Sequence, residues 1–90
     1  MSRVTGGRRI VRIGFFGRLR EALGDEREVP DERGETVARL RVRLAALHPG
    51  AARDLLSPGV RACVADAIVG EDFPVAGQER VEFLPPLSGG

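Results

Sequence analysis

The sequence predicts an α+β domain: a small mixed sheet with one main helix packed on one of its faces. Three observations carry that expectation. Short runs rich in Val, Ile and Phe alternate apolar with polar residues, as half-buried strands do. One longer segment, Val37 to about Leu47, instead repeats its apolar residues three and four apart, as a helix does. The chain has 90 residues, 42% of them hydrophobic, which is material for one core and little for a second.

The elements come in this order along the chain. Residues 1–8 carry two glycines and little apolar content, and are expected to be a disordered extension of the domain at 9–84. Arg9 to Phe16 reads as the first strand, with Val11, Ile13 and Phe15 on one face and Phe16 on the other. Gly17 to Gly24 suits one or two helical turns, with Leu19 and Leu23 four apart and Gly24 as the stop. Glu26 to Pro30 reads as a charged edge strand whose proline discourages further pairing.

Thr36 is placed to cap the main helix, which presents Val37, Leu40, Leu44 and Leu47 as one stripe. Arg39, Arg41 and Arg43 are expected on its solvated side. His48-Pro49-Gly50 ends it, and Ala51 to Leu56 suits another short turn. Val60 to Ala65 reads as a strand, Asp66 begins a tight turn, and Ala67-Ile68-Val69 is a very short strand. Gly70 to Gln78 is a loop anchored by Phe73-Pro74-Val75. Glu79 to Leu84 is the last strand, and residues 85–90 form an extended tail.

Composition excludes several classes. No run is long enough to span a membrane, and the first residues lack the apolar stretch of a signal peptide, so a cytoplasmic location is expected. The formal charge is only +1 with signs interspersed. That is not the stripe of a nucleic-acid binder. A single cysteine, Cys63, excludes an internal disulfide and a cysteine-ligated metal. Lying in an apolar run, it reads as a buried structural thiol rather than a nucleophile. The one histidine, His48, lies at a helix end where a cation is welcome and has no second ligand nearby, so no metal site is expected. No acid–base pair or nucleophile–base set is visible, which argues against a free-standing enzyme. All 14 basic residues are Arg, so the chain carries no side-chain amine to capture an acyl group on its own terminus.

The stretch with chemical meaning is the ending, Val81-Glu82-Phe83-Leu84-Pro85-Pro86-Leu87-Ser88-Gly89-Gly90. Pro85 and Pro86 end the strand and favour an extended tail, Leu87 and Ser88 continue it, and Gly89 and Gly90 make it thin enough to thread a narrow channel. Its one reactive group is the Gly90 carboxylate, a poor electrophile until a partner activates it. Gly-Gly alone also describes a frayed terminus; the strand and the paired prolines give it more meaning. If Val81 and Phe83 face the core, Leu84 faces out, and by the same alternation so does Phe16. With Ile68 they are expected to form an apolar patch that marks a protein contact.

These motifs, together with Val11-Arg12-Ile13-Gly14-Phe15-Phe16-Gly17, Arg20-Glu21 and Thr36-Val37-Ala38-Arg39-Leu40, resemble the ubiquitin-like sulfur carriers, most closely the small subunits of molybdopterin synthase. The resemblance runs from about Val11 to Gly90. It implies a β-grasp fold, with the first and last strands parallel neighbours in mid-sheet. It implies that a ubiquitin-activating-like adenylyltransferase uses ATP to adenylate Gly90, and that a sulfurtransferase persulfide then leaves a thiocarboxylate. The charged tail would enter the synthase large subunit and give sulfur to a pyranopterin precursor. It also implies docking through Phe16, Ile68, Leu84 and Arg20, with no cofactor bound by this chain. Departures are Leu84, where the family often has an aromatic, and Ala65-Asp66, where its turn often carries Asn. Two alternatives stay open at this point. One is a carrier for cysteine, thiamine thiazole or thiolated tRNA synthesis; the other is a non-covalent ubiquitin-like adaptor.

Overall fold

The computed structural model of the chain describes Val4, Thr5 and residues 8–86. Its central strand is β2 (Arg8–Phe15), and helix α1 (Arg18–Leu23) comes after a turn at Gly17. Strand β3 (Glu26–Pro30) returns antiparallel to β2, pairing Gly14 with Glu26 and Ile10 with Pro30. Helix α2 (Val37–Leu47) crosses one sheet face, and a 3-10 turn (Pro49–Ala51) and helix α3 (Ala52–Leu55) come next. Strands β4 (Arg61–Val64) and β5 (Ala67–Val69) form a hairpin, and β6 (Arg80–Leu84) closes the sheet.

Strand β6 lies between β2, to which it is parallel, and β4, to which it is antiparallel. The expected central parallel pair is therefore present, and the fold is ubiquitin-like. Register explains the core. Ile13 pairs with Val81 and Phe15 with Phe83, so their side chains share one face. The rings of Phe15 and Phe83 stack with centroids 6.5 Å apart. Val37, Leu40 and Leu44 descend onto them from α2 and are fully buried. Each such side chain contributes about 1.5–3 kcal/mol by leaving water.

The start of α2 is secured twice. Thr36 Oγ1 accepts from the Arg39 N–H, as its capping role required. Two further N–H groups of the first turn, those of Val37 and Ala38, donate to the carbonyls of Phe73 and Glu71. The loop from Gly70 to Gln78 is thereby tied to the helix, and Val75 is buried in the core.

Three expectations are corrected. A two-residue strand, β1 (Val4–Thr5), pairs Thr5 with Arg8 and Val4 with Arg9 inside the stretch expected to lack structure. Both residues are β-branched, and β2 begins early enough to offer them an edge. Leu47 does not join the apolar stripe; it is 57% exposed in the last turn of α2, and Ala45 is buried instead. Arg41 is not on a solvated face; it is 4% exposed. It lies four residues after Val37 and three before Leu44, which puts it inside the stripe.

Candidate functional site

The open face of the sheet is built by alternation. Because Val81 and Phe83 are buried under α2, Arg80, Glu82 and Leu84 point to the other side. Cross-strand pairing carries that face outward: Leu84 opposes Arg61, Glu82 opposes Cys63, and Cys63 opposes Ile68. Phe15 pairs with Phe83, so Phe16 and Leu84 share the next rung. Phe16 is 37% exposed and Ile68 49%, while Leu84 is half-buried. The three expected contact residues thus occupy the open face, with Ile68 one strand further out across Cys63 and Arg61.

Arg20 lies close to Phe16. A surface depression is lined by Phe16, Arg20, Asp25, Glu26 and Arg80. Arg20 Nε reaches Asp25 Oδ1 at 2.5 Å, and both side chains are well exposed. Its sequence neighbour Glu21 is not the acid it pairs with in this contact. An exposed pair of this kind adds little stability, so Arg20 remains available to a partner.

The other end of the face is charged. Arg80 sends its guanidinium across β2 to pair with Glu26, while its Nε donates to Glu82 Oε2 at 3.2 Å. Gly14 makes the crossing possible, since a Cβ there would collide with Arg80 Nη2. Burial works against the Arg80 charge, but hydrogen bonds to Glu26 and Glu82 outweigh it and raise its pKa. Cys63, 8% exposed, has its thiol pKa pushed up by burial, then by the Glu82 and Asp66 charges. It stays protonated and is a poor nucleophile.

The chain leaves the sheet at Pro85 and Pro86, whose surfaces are exposed. They border a cleft of about 350 Å³ whose other walls include Phe16, Leu19 and Val60. Pro85 lies over Gly17, where φ is +63°, a conformation that favours glycine. Pro86 lies over Gly59. The expected tail residues Leu87, Ser88, Gly89 and Gly90 lie outside the described residues.

Arg41 is the group that reading by sequence missed. Its Nη1 donates to the carbonyls of Leu55 and Ser57 at 2.8 and 3.2 Å, and its Nη2 to that of Val60. Its Nε and Nη2 also hold Glu71 Oε1 and Oε2 at 2.8 and 2.9 Å. The guanidinium carbon stands 5.2 Å from the Phe83 ring centroid. One side chain therefore ties α2 to the loop before β4, to the 70–78 loop and to β6. Its place in the helical stripe was the signal that could have found it. Among the described residues, no three His, Cys, Asp or Glu side chains gather as a metal site needs, and no helix is long and apolar enough to cross a membrane.

Comparison with known proteins adds the chemistry. Residues 13–90 match the ThiS family. The molybdopterin synthase sulfur carrier subunit of Escherichia coli is 30% identical over 81 residues, which is 90% of this chain and all of that protein. Two solved structures share the fold. A putative molybdopterin converting factor subunit 1 from Pyrococcus furiosus superposes with a TM-score of 0.71 at 23% identity, over 87% of this chain and 98% of that one. SAMP1 from Haloferax volcanii does so with a TM-score of 0.72 at 22% identity, over 90% and 99%.

Proposed function

This chain belongs to the ThiS family of sulfur carriers, and from that footing we propose that it is the small subunit of a molybdopterin synthase, with the Gly90 carboxylate as the atom group that carries sulfur. The observation that carries this reading is the way the chain leaves the fold. Strand β6 is held on both sides, by β2 and β4, and runs directly into Pro85-Pro86 beside exposed Phe16 and half-buried Leu84. A rigid strand thus delivers the tail next to a surface suited to docking. The Escherichia coli relative, matched along its whole length, supplies the chemical class.

The chemistry needs partners in the cytoplasm, where ATP is at hand. An adenylyltransferase of the ubiquitin-activating kind joins the Gly90 carboxylate to AMP and releases pyrophosphate. The terminal sulfur of a sulfurtransferase persulfide then attacks the acyl carbon, and the bond to AMP breaks. Cleavage of the resulting S–S bond by a thiol leaves the thiocarboxylate. The synthase large subunit receives the tail, and sulfur passes there to the pterin precursor. This chain binds no cofactor in that scheme. It contributes a covalent arm and a docking face formed by Phe16, Leu84, Ile68 and Arg20.

The test is intact-mass measurement after incubation with ATP, an adenylyltransferase of this class and a persulfide donor. The expected product has one oxygen exchanged for sulfur at Gly90. An unchanged mass, with the adenylyltransferase active on another carrier, refutes the reading.

A further inference from the structure

We propose that Gly17 and Gly59 form a two-point seat that fixes the direction in which the chain leaves the domain, so that both are positioning residues for the tail. This inference rests on the sulfur-carrier reading for its purpose, but its geometry stands apart from it. A Cβ at Gly17 would lie 3.0 Å from Pro85 Cβ, and a Cβ at Gly59 would lie 3.2 Å from both Cβ and Cγ of Pro86. Each proline therefore packs directly on a glycine backbone, so tightly that an added side chain would push the proline ring away by a few tenths of an ångström. The two seats belong to different elements. Gly17 precedes α1, and Gly59 belongs to the turn before β4.

Both seats are held from below. Gly17 takes the left-handed conformation that starts α1, and its carbonyl accepts from Glu21 N–H at 3.2 Å. The Gly59 turn is held by Arg41 through the carbonyls of Leu55, Ser57 and Val60 on either side of it. Gly59 N–H also donates to Ser57 Oγ at 3.3 Å. Proline has its φ fixed by its ring, so seating two in succession sets the direction in which the chain leaves the domain at Pro86. From Pro86 to Gly90 the chain spans up to about 13 Å when extended. For a tail extended to that length, a small rotation at the seat displaces the carboxylate by about an ångström or more. Misplacement on that scale can cost up to about 100-fold in a positioned reaction.

Gly59 gives the cleaner test, because its φ is open to any residue and only the Pro86 contact opposes a side chain. The series is Gly59→Ala and Gly59→Val, with Gly50→Ala as control, since nothing lies within 4 Å of a Cβ there. Two readouts are needed. The first is the residual dipolar coupling of the Cα–Hα bonds of Pro85 and Pro86 in aligned solution. In the parent protein these fit the frame of the folded domain, and in Gly59→Val the Pro86 coupling departs from it. The second is steady-state charging of Gly90, where kcat falls about ten-fold in Gly59→Val while KM for the carrier stays within about two-fold. Couplings already averaged out in the parent, or a Gly59→Val variant that keeps both couplings and kcat, overturn the seat. A raised KM with unchanged kcat also overturns it, because the turn then touches the partner instead. Parent protein that accepts no sulfur refutes the carrier reading, and the couplings still decide the seat.

Discussion

Replacing Arg41 by alanine tests the internal architecture most severely. The guanidinium donates to three backbone carbonyls and holds Glu71 through two of its nitrogens. Truncation leaves the carbonyls of Leu55, Ser57 and Val60 without that donor. A buried acceptor left unsatisfied costs about 1–3 kcal/mol. Ser57 lies near the surface, so water recovers part of that loss, and Glu71, which is more than half exposed, rehydrates cheaply. Losing the cation from the Phe83 ring adds about 1 kcal/mol. The expected total is about 3–5 kcal/mol, in the range found when one partner of a buried pair is removed. For a domain whose whole stability is about 5–15 kcal/mol, that is a large fraction. At about 4–8 °C per kcal/mol, the thermal midpoint falls by more than about 12 °C. The chain has neither Trp nor Tyr, so unfolding is monitored by far-ultraviolet circular dichroism. Arg39→Ala, on the exposed side of the same helix, is the control and should change stability by less than about 0.5 kcal/mol. If Arg41→Ala loses less than about 1 kcal/mol, the buried hub is wrong and the residue is solvated after all.

Three further outcomes are expected. Leu84→Glu places a carboxylate between Phe16 and Arg61 and should weaken capture of the adenylyltransferase at least ten-fold, read by titration calorimetry, with the thermal midpoint unchanged. Ala65→Gly should raise stability by about 1 kcal/mol, because Ala65 and Asp66 turn the β4–β5 hairpin with φ of 50° and 67°, a conformation costly for a residue with a Cβ; an unchanged midpoint would mean the turn relaxes. Cys63 should resist thiol reagents at pH 8 in the folded protein and react at once in denaturant. Its folded pKa is raised above the ordinary 9.0, so its contribution to stability is present below pH 9.0 and declines as pH rises beyond it.

Much of this fold is legible in the sequence because local signals agree with one another. The bounds of α2, β3 and β5 come from Thr36, Pro30 and the Ala65-Asp66 turn, each a local steric or hydrogen-bonding cue. The face of β6 comes from strict alternation, and the core face of β2 from Val11, Ile13 and Phe15 at every second position. Arg41 misleads because its charge suggests solvent, whereas its neighbours on the helix face already place it inside. Leu47 misleads for the opposite reason: its spacing suggests the stripe, yet in the last turn of α2 it is exposed and Ala45 is buried instead. The seats at Gly17 and Gly59 depend on segments far apart in sequence meeting at Pro85 and Pro86, and no spacing rule contains that information.

The central claim is that the folded body serves to present the Gly90 carboxylate. It is tested most directly by removing Gly90 alone and measuring both binding to the adenylyltransferase and sulfur incorporation by intact mass. The prediction is unchanged binding through the open sheet face, an unchanged thermal midpoint and no sulfur taken up. Sulfur incorporation by the shortened chain would contradict it.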